Sequence, residues 1–228
     1  MDNLEVKIGN FILFMVALIF SGSFHEALHA WTSSYFGDDL ARSQGRVSLN
    51  PVVHVDPFGT LLFPAISFFT GATMLGWARS TPVNPLRWRN KKVANFWVSI
   101  AGILGNLTLA IIAGVAIRVM YESNLLMRVG GELAVNSEST IAVGAVNLVY
   151  VFFTLNIGLA VFNLLPIPPL DGIHILESLL PDTFASAFET INQYGMILLF
   201  IALLTGVLTP IFRVVMPLAE RLVFIGAA

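Results

Sequence analysis

Residues 8–36 read IGNFILFMVALIFSGSFHEALHAWTSSYF, an apolar run that is long enough to cross a membrane as a helix but contains ionisable side chains. His25 and His29 are four residues apart, so they lie one turn apart on one helical face, where two imidazoles can bind one metal ion. In the pattern H-E-x-x-H, the carboxylate of Glu26 is close enough to take a proton from a water activated by that metal. Ionisable residues are costly at membrane depth, so these three predict a functional site.

The composition indicates an integral membrane protein. Of 228 residues, 56% are hydrophobic and only 11% are charged, with a mean hydropathy of +0.80, whereas about 25% of residues are charged in soluble domains. The net charge of −2 provides no basic surface for nucleic acid, which is therefore not an expected partner. Without cysteine, histidine and carboxylate are the strong metal ligands, and four histidines are too few for a di-iron oxidase.

The apolar segments predict an all-α integral membrane protein, a polytopic helix bundle with about five or six membrane segments, since about 20 apolar residues cross the hydrocarbon core. We expect a single domain over 1–228, with a core at about 8–181 and C-terminal helices at 187–227. Residues 1–10 lack the features of a cleaved signal, so the first segment is expected to be a retained anchor. The apolar segments are 8–36, 58–77, 93–119, 138–165, 187–208 and a weaker one at 210–227.

Between the first two apolar segments, residues 40–57 predict a small membrane-associated β-hairpin. Residues 46–49 alternate in polarity like a strand, and Asn-Pro at 50–51 and Asp-Pro at 56–57 end the run. Irregular backbone at membrane depth is stable only where it lines a protein cavity. The hairpin is therefore expected to cover the polar site of the first helix.

Loop charge predicts the orientation of the chain. Residues 79–92 contain five basic and no acidic side chains, whereas 120–138 is mainly acidic, so the positive-inside rule places 79–92 in the cytoplasm. Segment 93–119 then runs outward and 138–165 returns, which puts the proline-rich stretch after it at the cytoplasmic end. Asp171 in that stretch is either a helix cap or a metal ligand.

The path of segment 58–77 decides whether the histidines can meet Asp171. A full crossing would separate them, whereas a re-entrant dip, with glycines as flexible breaks, would bring His25, His29 and Asp171 to a similar depth. His25 would then lie roughly 16 Å from the cytoplasmic end of its helix. Two histidines and one aspartate with an open fourth position are the ligand arrangement of a catalytic zinc site.

Three segments carry a resemblance to a known family: FHEALHAW at 24–31, AGILGN at 101–106 and NLLPIPPLDG at 163–172. Together with residues 46–60, they resemble the site-2 protease family of intramembrane zinc metalloproteases, peptidase family M50, in its compact branch without a PDZ domain. The resemblance covers about residues 21–181. One departure is Ile103, which stands where the family usually has proline after the glycine.

The resemblance implies a transmembrane metalloprotease domain: a zinc-dependent intramembrane endopeptidase that hydrolyses peptide bonds in or near transmembrane segments of membrane proteins. It implies one Zn²⁺ ion held by His25, His29 and Asp171, with Glu26 as general base and Asn163 at the position that holds the substrate carbonyl. The edge of the predicted hairpin would bind the unwound substrate by strand addition. We expect a bacterial or archaeal cell membrane, with the active site toward the cytoplasm.

Several of these polar residues also have a structural interpretation. Asn163 could satisfy backbone carbonyls that the following prolines leave free. Asn106 lies beside two glycines and could form an interhelix hydrogen bond. His54, in the predicted hairpin, and His174, one turn after Asp171, could each support the metal site, bind substrate or only stabilise the fold.

A second function class uses the same ligands. A non-catalytic membrane metal-binding protein or a metal transporter could hold zinc through two histidines and an aspartate, but it would have less need of Glu26 between the histidines. The partners expected for the protease are a transmembrane protein substrate and membrane lipids. The oligomeric state does not follow from the sequence.

Overall fold

The computed structural model describes residues 4–70, 76–129 and 132–226, which are mostly helical. Short 3₁₀ turns lie at Pro51–Val53, Pro85–Arg87 and Asp182–Phe184, and a π-helical stretch lies at Pro57–Leu62. Strands β1 (Leu126–Val129) and β2 (Glu132–Val135) form an antiparallel pair. The helices are α1 (Leu4–Tyr35), α2 (Leu40–Ser43), α3 (Phe63–Thr70), α4 (Lys91–Glu122), α5 (Thr140–Asn163), α6 (Asp171–Leu179), α7 (Ala185–Gln193), α8 (Gly195–Thr205) and α9 (Thr209–Val223).

Three of the described helices, α1, α4 and α5, are long and apolar enough to cross a membrane. A fourth span is possible only if Asp182–Gln193 and Gly195–Leu204, which meet at 63°, form one bent unit. The expected five or six membrane segments are not confirmed. Segment 58–77 yields only the shorter apolar helix Pro57–Thr70, and its residues 71–75 lie outside the described part of the chain.

Helix α4 lies at the centre of the bundle and packs against α1, α5 and α6. Its buried surface is formed largely by small side chains, which allow helix backbones to approach closely in a membrane. Asn90 begins the helix by accepting a hydrogen bond from the N–H of Val93 at 3.2 Å. Its small buried residues are Ala94, Ser99, Gly102, Gly105, Ala110, Ala113 and Gly114.

The junction between α5 and α6 positions Asp171. Helix α5 ends at Asn163, because three prolines follow within six residues and lack the N–H groups that would continue it. Helix α6 then starts against the end of α5, where a Cβ on Gly172 would overlap the carbonyl of Leu164. Glycine at 172 therefore permits the close approach that turns the first residue of α6 toward α1.

The predicted β-hairpin at 40–57 is wrong in position, since the two-stranded sheet lies at β1 and β2. In 40–57, local backbone hydrogen bonds and side chains, rather than a partner strand, satisfy the backbone. His54 Nε2 bonds to the carbonyl of Ser48 at 2.8 Å, and the guanidinium of Arg46 donates to the carbonyl of Val53. The segment consequently forms turns, and the proposed strand addition at 46–49 has no strand to support it.

The ends of segment 58–77 are hydrogen-bonded to each other. The N–H of Trp77 donates to the carbonyl of Gly59 at 3.0 Å, and the hydroxyl of Thr60 donates to the carbonyl of Trp77 at 2.8 Å. The indole of Trp77 occupies the space that a Cβ on Gly59 would need. The two ends of the segment therefore lie side by side, and the chain continues from Trp77 toward α1.

Candidate metal centre

His25, His29 and Asp171 meet at the contact of α1 with α6. The two histidines are buried on one face of α1, and Asp171 faces them from the first turn of α6. The Nε2 atoms of the two histidines are 2.9 Å apart. Oδ2 of Asp171 lies 3.2 Å from Nε2 of His25 and 3.3 Å from Nε2 of His29. Atoms able to bind a metal thus lie within 4.8 Å of one another on three residues.

Both imidazoles are held through the nitrogen that faces away from Asp171. Nδ1 of His29 lies 2.6 Å from the carbonyl oxygen of Val98, and Nδ1 of His25 lies 2.6 Å from Oδ1 of Asn106. Carbonyl oxygens only accept hydrogen bonds, so each Nδ1 carries a hydrogen and each Nε2 presents a lone pair. Two imidazole lone pairs and a carboxylate oxygen therefore converge.

This convergence fits a shared cation. Oδ2 of Asp171 is buried without a hydrogen-bond donor, and converging lone pairs repel one another unless positive charge lies among them. Two imidazoles and one carboxylate are a ligand set of catalytic zinc sites, and the residues present fit Zn²⁺.

Gly102 of α4 provides the space for the imidazoles. A Cβ at position 102 would overlap the ring nitrogens of both His25 and His29. A glycine is therefore required here for steric reasons, although its backbone is ordinary helix. The arrangement of His25 and His29 therefore depends on the absence of a side chain at Gly102 of α4.

Asp171 does not act as a helix cap. Leu170 occupies the N-cap position of α6, and Asp171 is the first helical residue, with no hydrogen bond from its side chain to the helix end. Its carboxylate instead lies against the two histidines of α1. Of the two roles that the sequence left open, the geometry favours the ligand.

Glu26 projects from the same turn of α1 toward a different neighbour. Its Oε2 accepts a hydrogen bond from the N–H of Thr81 at 2.6 Å, and the hydroxyl of Thr81 donates to the carbonyl of Glu26 at 2.9 Å. Residues 76–84, which contain no helix or strand, pass along α1 here, with Ala78 against Gly22. The carboxylate is half-buried and is held by a loop.

Arg46 connects the two parts of the loop structure near Glu26. Its guanidinium donates to the carbonyl of Val53 and, at 3.4 Å, to the carbonyl of Arg79. Burial and then the charge of Arg79 lower the pKa of the Arg46 guanidinium, whereas the Glu26 carboxylate raises it. The charge of Arg46 is thus partly balanced by the acid on α1.

The remaining predicted residues lie in different surroundings. Asn106 is fully buried against His25, and Ile103 of the same helix packs with Ala160 and Ile175 without interrupting the helix. The Asn163 amide donates to a carbonyl of its own helix, Leu159, at 3.0 Å.

The other two histidines do not join the ligand cluster. His54 is buried in the loop, where its Nε2 bonds to Ser48 and its carbonyl accepts from the N–H of Arg79. His174 is partly exposed and pairs with Glu177 at 3.4 Å. Both contacts stabilise local structure, so the structural interpretation accounts for what these two side chains touch.

Sequence reasoning missed four groups around the cluster: the carbonyl of Val98, the N–H of Thr81, the space left by Gly102 and the side chain of Asn156. Asn156 donates to Ser21 and accepts from Asn106 inside the bundle. Its position as an amide within an apolar span was a usable signal, because polar residues there are commonly functional. The backbone groups leave no mark in a sequence.

The fold and the site define a membrane protein of the metalloprotease class, with an H-E-x-x-H helix among its spans and a third ligand-type residue from another helix. The family model of peptidase family M50 matches residues 13–204. The chain belongs to this family, the site-2 proteases, as the resemblance of its motifs predicted.

Relatives whose names contain the words zinc metalloprotease are 26–36% identical to the chain. "Putative zinc metalloprotease YwhC" of Bacillus subtilis is 36% identical over 191 residues, covering 84% of this chain and 80% of the relative. "Putative zinc metalloprotease Rip2" of Mycolicibacterium smegmatis is 27% identical over 201 residues, covering 88% and 70%. Its namesake in Mycobacterium tuberculosis is 26% identical over 200 residues, covering 88% and 70%. No solved structure matches the chain.

Proposed function

We propose that this protein is a zinc-dependent intramembrane endopeptidase that hydrolyses peptide bonds in or near transmembrane segments of membrane proteins. The observation that carries the proposal is that Nε2 of His25, Nε2 of His29 and Oδ2 of Asp171 converge. The turn of α1 that carries the two histidines also carries Glu26. Family membership and the names of the relatives, which contain the words zinc metalloprotease, support it.

In the proposed reaction, His25, His29 and Asp171 hold one Zn²⁺ ion. Bound zinc supplies a Lewis acid that lowers the pKa of a water to about 7. Glu26 accepts the proton of the attacking water and returns it to the leaving amine. An amide has two N–H donors, so Asn163 can keep its bond to Leu159 and still offer one N–H to the substrate carbonyl.

A contact between Glu26 and the basic loop supports a proposal for the side of the membrane on which the site lies. Residues 79–92 contain five basic side chains without an acid, a pattern typical of cytoplasmic loops. Thr81 lies in this stretch and bonds to Glu26 at 2.6 Å. We therefore place the site toward the cytoplasmic face of a bacterial or archaeal cell membrane, with membrane lipids and a transmembrane protein as its partners.

The test is Glu26→Gln in the purified full chain. We expect its zinc content to equal that of the wild type, because Glu26 is outside the ligand cluster, and its cleavage of a reconstituted transmembrane substrate to fall about 10²–10⁴-fold. Elemental analysis measures the zinc, and gel analysis of fragments measures the cleavage. Glu177→Gln, which removes a partly exposed carboxylate beside His174, is the matched control and should cleave normally.

Equal cleavage by the wild type and Glu26→Gln would rule out the proposed general base. Zinc binding without cleavage in the wild type would instead favour a metal-binding protein or transporter with the same ligands. These outcomes separate the metal site from its use in catalysis.

A further inference from the structure

A relay of buried polar side chains connects three helices to the back of His25. Asn106 of α4 meets His25 through Oδ1 at 2.6 Å and donates through Nδ2 to Oδ1 of Asn156 at 2.8 Å. Asn156 of α5 donates to the hydroxyl of Ser21 and to the carbonyl of Phe152, both at 2.8 Å. The Ser21, Asn106 and Asn156 side chains are fully buried.

The relay has a fixed direction. The carbonyl of Phe152 can only accept, so Nδ2 of Asn156 must face it and Oδ1 of Asn156 must face Asn106. Asn106 therefore presents its Nδ2 to Asn156 and its Oδ1 to His25. An acceptor facing Nδ1 of His25 places the ring hydrogen there and leaves Nε2 with a lone pair toward Asp171.

His29 obtains the same ring state by a simpler route. Its Nδ1 meets the carbonyl of Val98, a backbone group that cannot reverse. An asparagine amide can reverse, and a reversed Asn106 would present N–H groups to His25 and favour a hydrogen on Nε2 instead. The orientation of Asn106 thus needs a second residue to hold it, and Asn156 makes the required contact.

We propose that Asn156 is a positioning residue of the metal centre, which acts through Asn106 to keep the hydrogen of His25 on Nδ1 and Nε2 free for the metal. This rests on the zinc site proposed above. This positioning role differs from a purely structural role in joining α4 to α5. A positioning role predicts that the orientation of the Asn106 amide, and not the strength of helix packing, controls metal affinity.

The experiment compares Asn156→Leu with a rescue variant in the purified full chain. Asn156→Leu keeps the number and branching of the side-chain heavy atoms but releases Asn106, so we expect zinc to bind about 10–100-fold more weakly in competition with a chromogenic chelator. In metal-free protein labelled with ¹⁵N histidine, the His25 ring should shift toward hydrogen on Nε2. Asn156→Ala serves in both measurements if the leucine variant does not fold.

The rescue variant adds Asn106→Asp to Asn156→Leu. A carboxylate at position 106 can only accept, so it fixes His25 without Asn156, and zinc affinity should return to within about three-fold of the wild type. The control is Tyr150→Phe, which removes a 2.6 Å bond from α5 to Glu220 and should leave affinity unchanged.

Wild-type zinc affinity in Asn156→Leu with the His25 hydrogen still on Nδ1 would overturn the proposal. So would a double variant as weak as Asn156→Leu, since a packing role is not restored by aspartate. Failure of the zinc site itself is distinguishable: a wild type that binds no zinc would refute that site, while the ring nitrogens of the metal-free protein would still report on the relay.

Discussion

Two faces of one turn of α1 are held by different kinds of structure. The face with His25 and His29 lies against α4, where the side chain of Asn106 bonds to His25 and the backbone carbonyl of Val98 bonds to His29. The face with Glu26 lies against residues 76–84, a loop segment without helix or strand. We call these the α4 face and the loop face. The proposed metal ligands are thus fixed by the bundle, whereas the Glu26 carboxylate is fixed by a loop.

The difference separates two requirements of a hydrolytic site. Metal ligands must keep their geometry whether or not substrate is present, and rigid packed helices provide this. The carboxylate must meet a substrate that enters from outside, and a loop can move on a faster timescale than a helix bundle. Changes on the α4 face should therefore alter metal binding, and changes on the loop face should alter turnover at constant metal content.

Gly102→Ala should disrupt the α4 face and have the largest effect among changes to the surroundings of α1. The added Cβ would overlap both imidazole rings, so we expect zinc affinity to fall roughly 100-fold as the rings are displaced. Gly158→Ala is the control, since a Cβ there meets nothing within 4 Å. Chelator competition measures both, and an alanine at 102 that binds zinc like the wild type would show that the rings have room to move.

Thr81→Pro should break the loop face with a smaller effect. Proline lacks the N–H that bonds to Glu26, and a hydrogen bond to a charged group is worth about 1.5–3 kcal/mol, so cleavage should fall roughly ten-fold or more at unchanged zinc content. Thr81→Val keeps the N–H and removes only the hydroxyl bond, so it should retain most activity. Lost zinc in Thr81→Pro would mean that the two faces are not independent.

The same division explains how much the sequence could predict. The three long apolar helices and the H-E-x-x-H face follow from apolar length and helical spacing, whereas the proline-rich setting of Asp171 predicts either a helix cap or a ligand. The prediction of a hairpin at 40–57 is wrong because the alternation at 46–49 resembles a strand, whereas Arg46 and His54 bond to the local backbone and the segment forms turns.

The hairpin that does form was missed for a different reason. Its two short strands flank Gly-Gly at 130–131 in the sequence. Two glycines between short runs are a signal for a two-residue hairpin turn, whereas the charges of 120–138 contain no such information. On the loop face, the decisive groups are the N–H of Thr81 and the carbonyls that Arg46 binds. Every residue has such groups, so only the folded chain shows which of them are used.

Arg46→Met should have the smallest effect on cleavage of the three changes and tests whether the loop supports Glu26. The substitution keeps an apolar stem but removes the bonds to the carbonyls of Val53 and Arg79, two residues before Thr81, so Glu26 loses support indirectly. Hydrogen bonds of a charged group contribute about 1.5–3 kcal/mol to the local structure. Only part of this loss is transmitted to Glu26, so we expect a cleavage rate lower by about three-fold, with zinc content unchanged. Arg42→Met, at an exposed position of the neighbouring helix α2, should leave the cleavage rate unchanged. The backbone N–H of Arg79 donates to the carbonyl of His54, and its hydrogen exchange should become faster in Arg46→Met but not in Arg42→Met. Slower turnover without faster exchange would mean that Arg46 acts on Glu26 through its charge rather than through the loop.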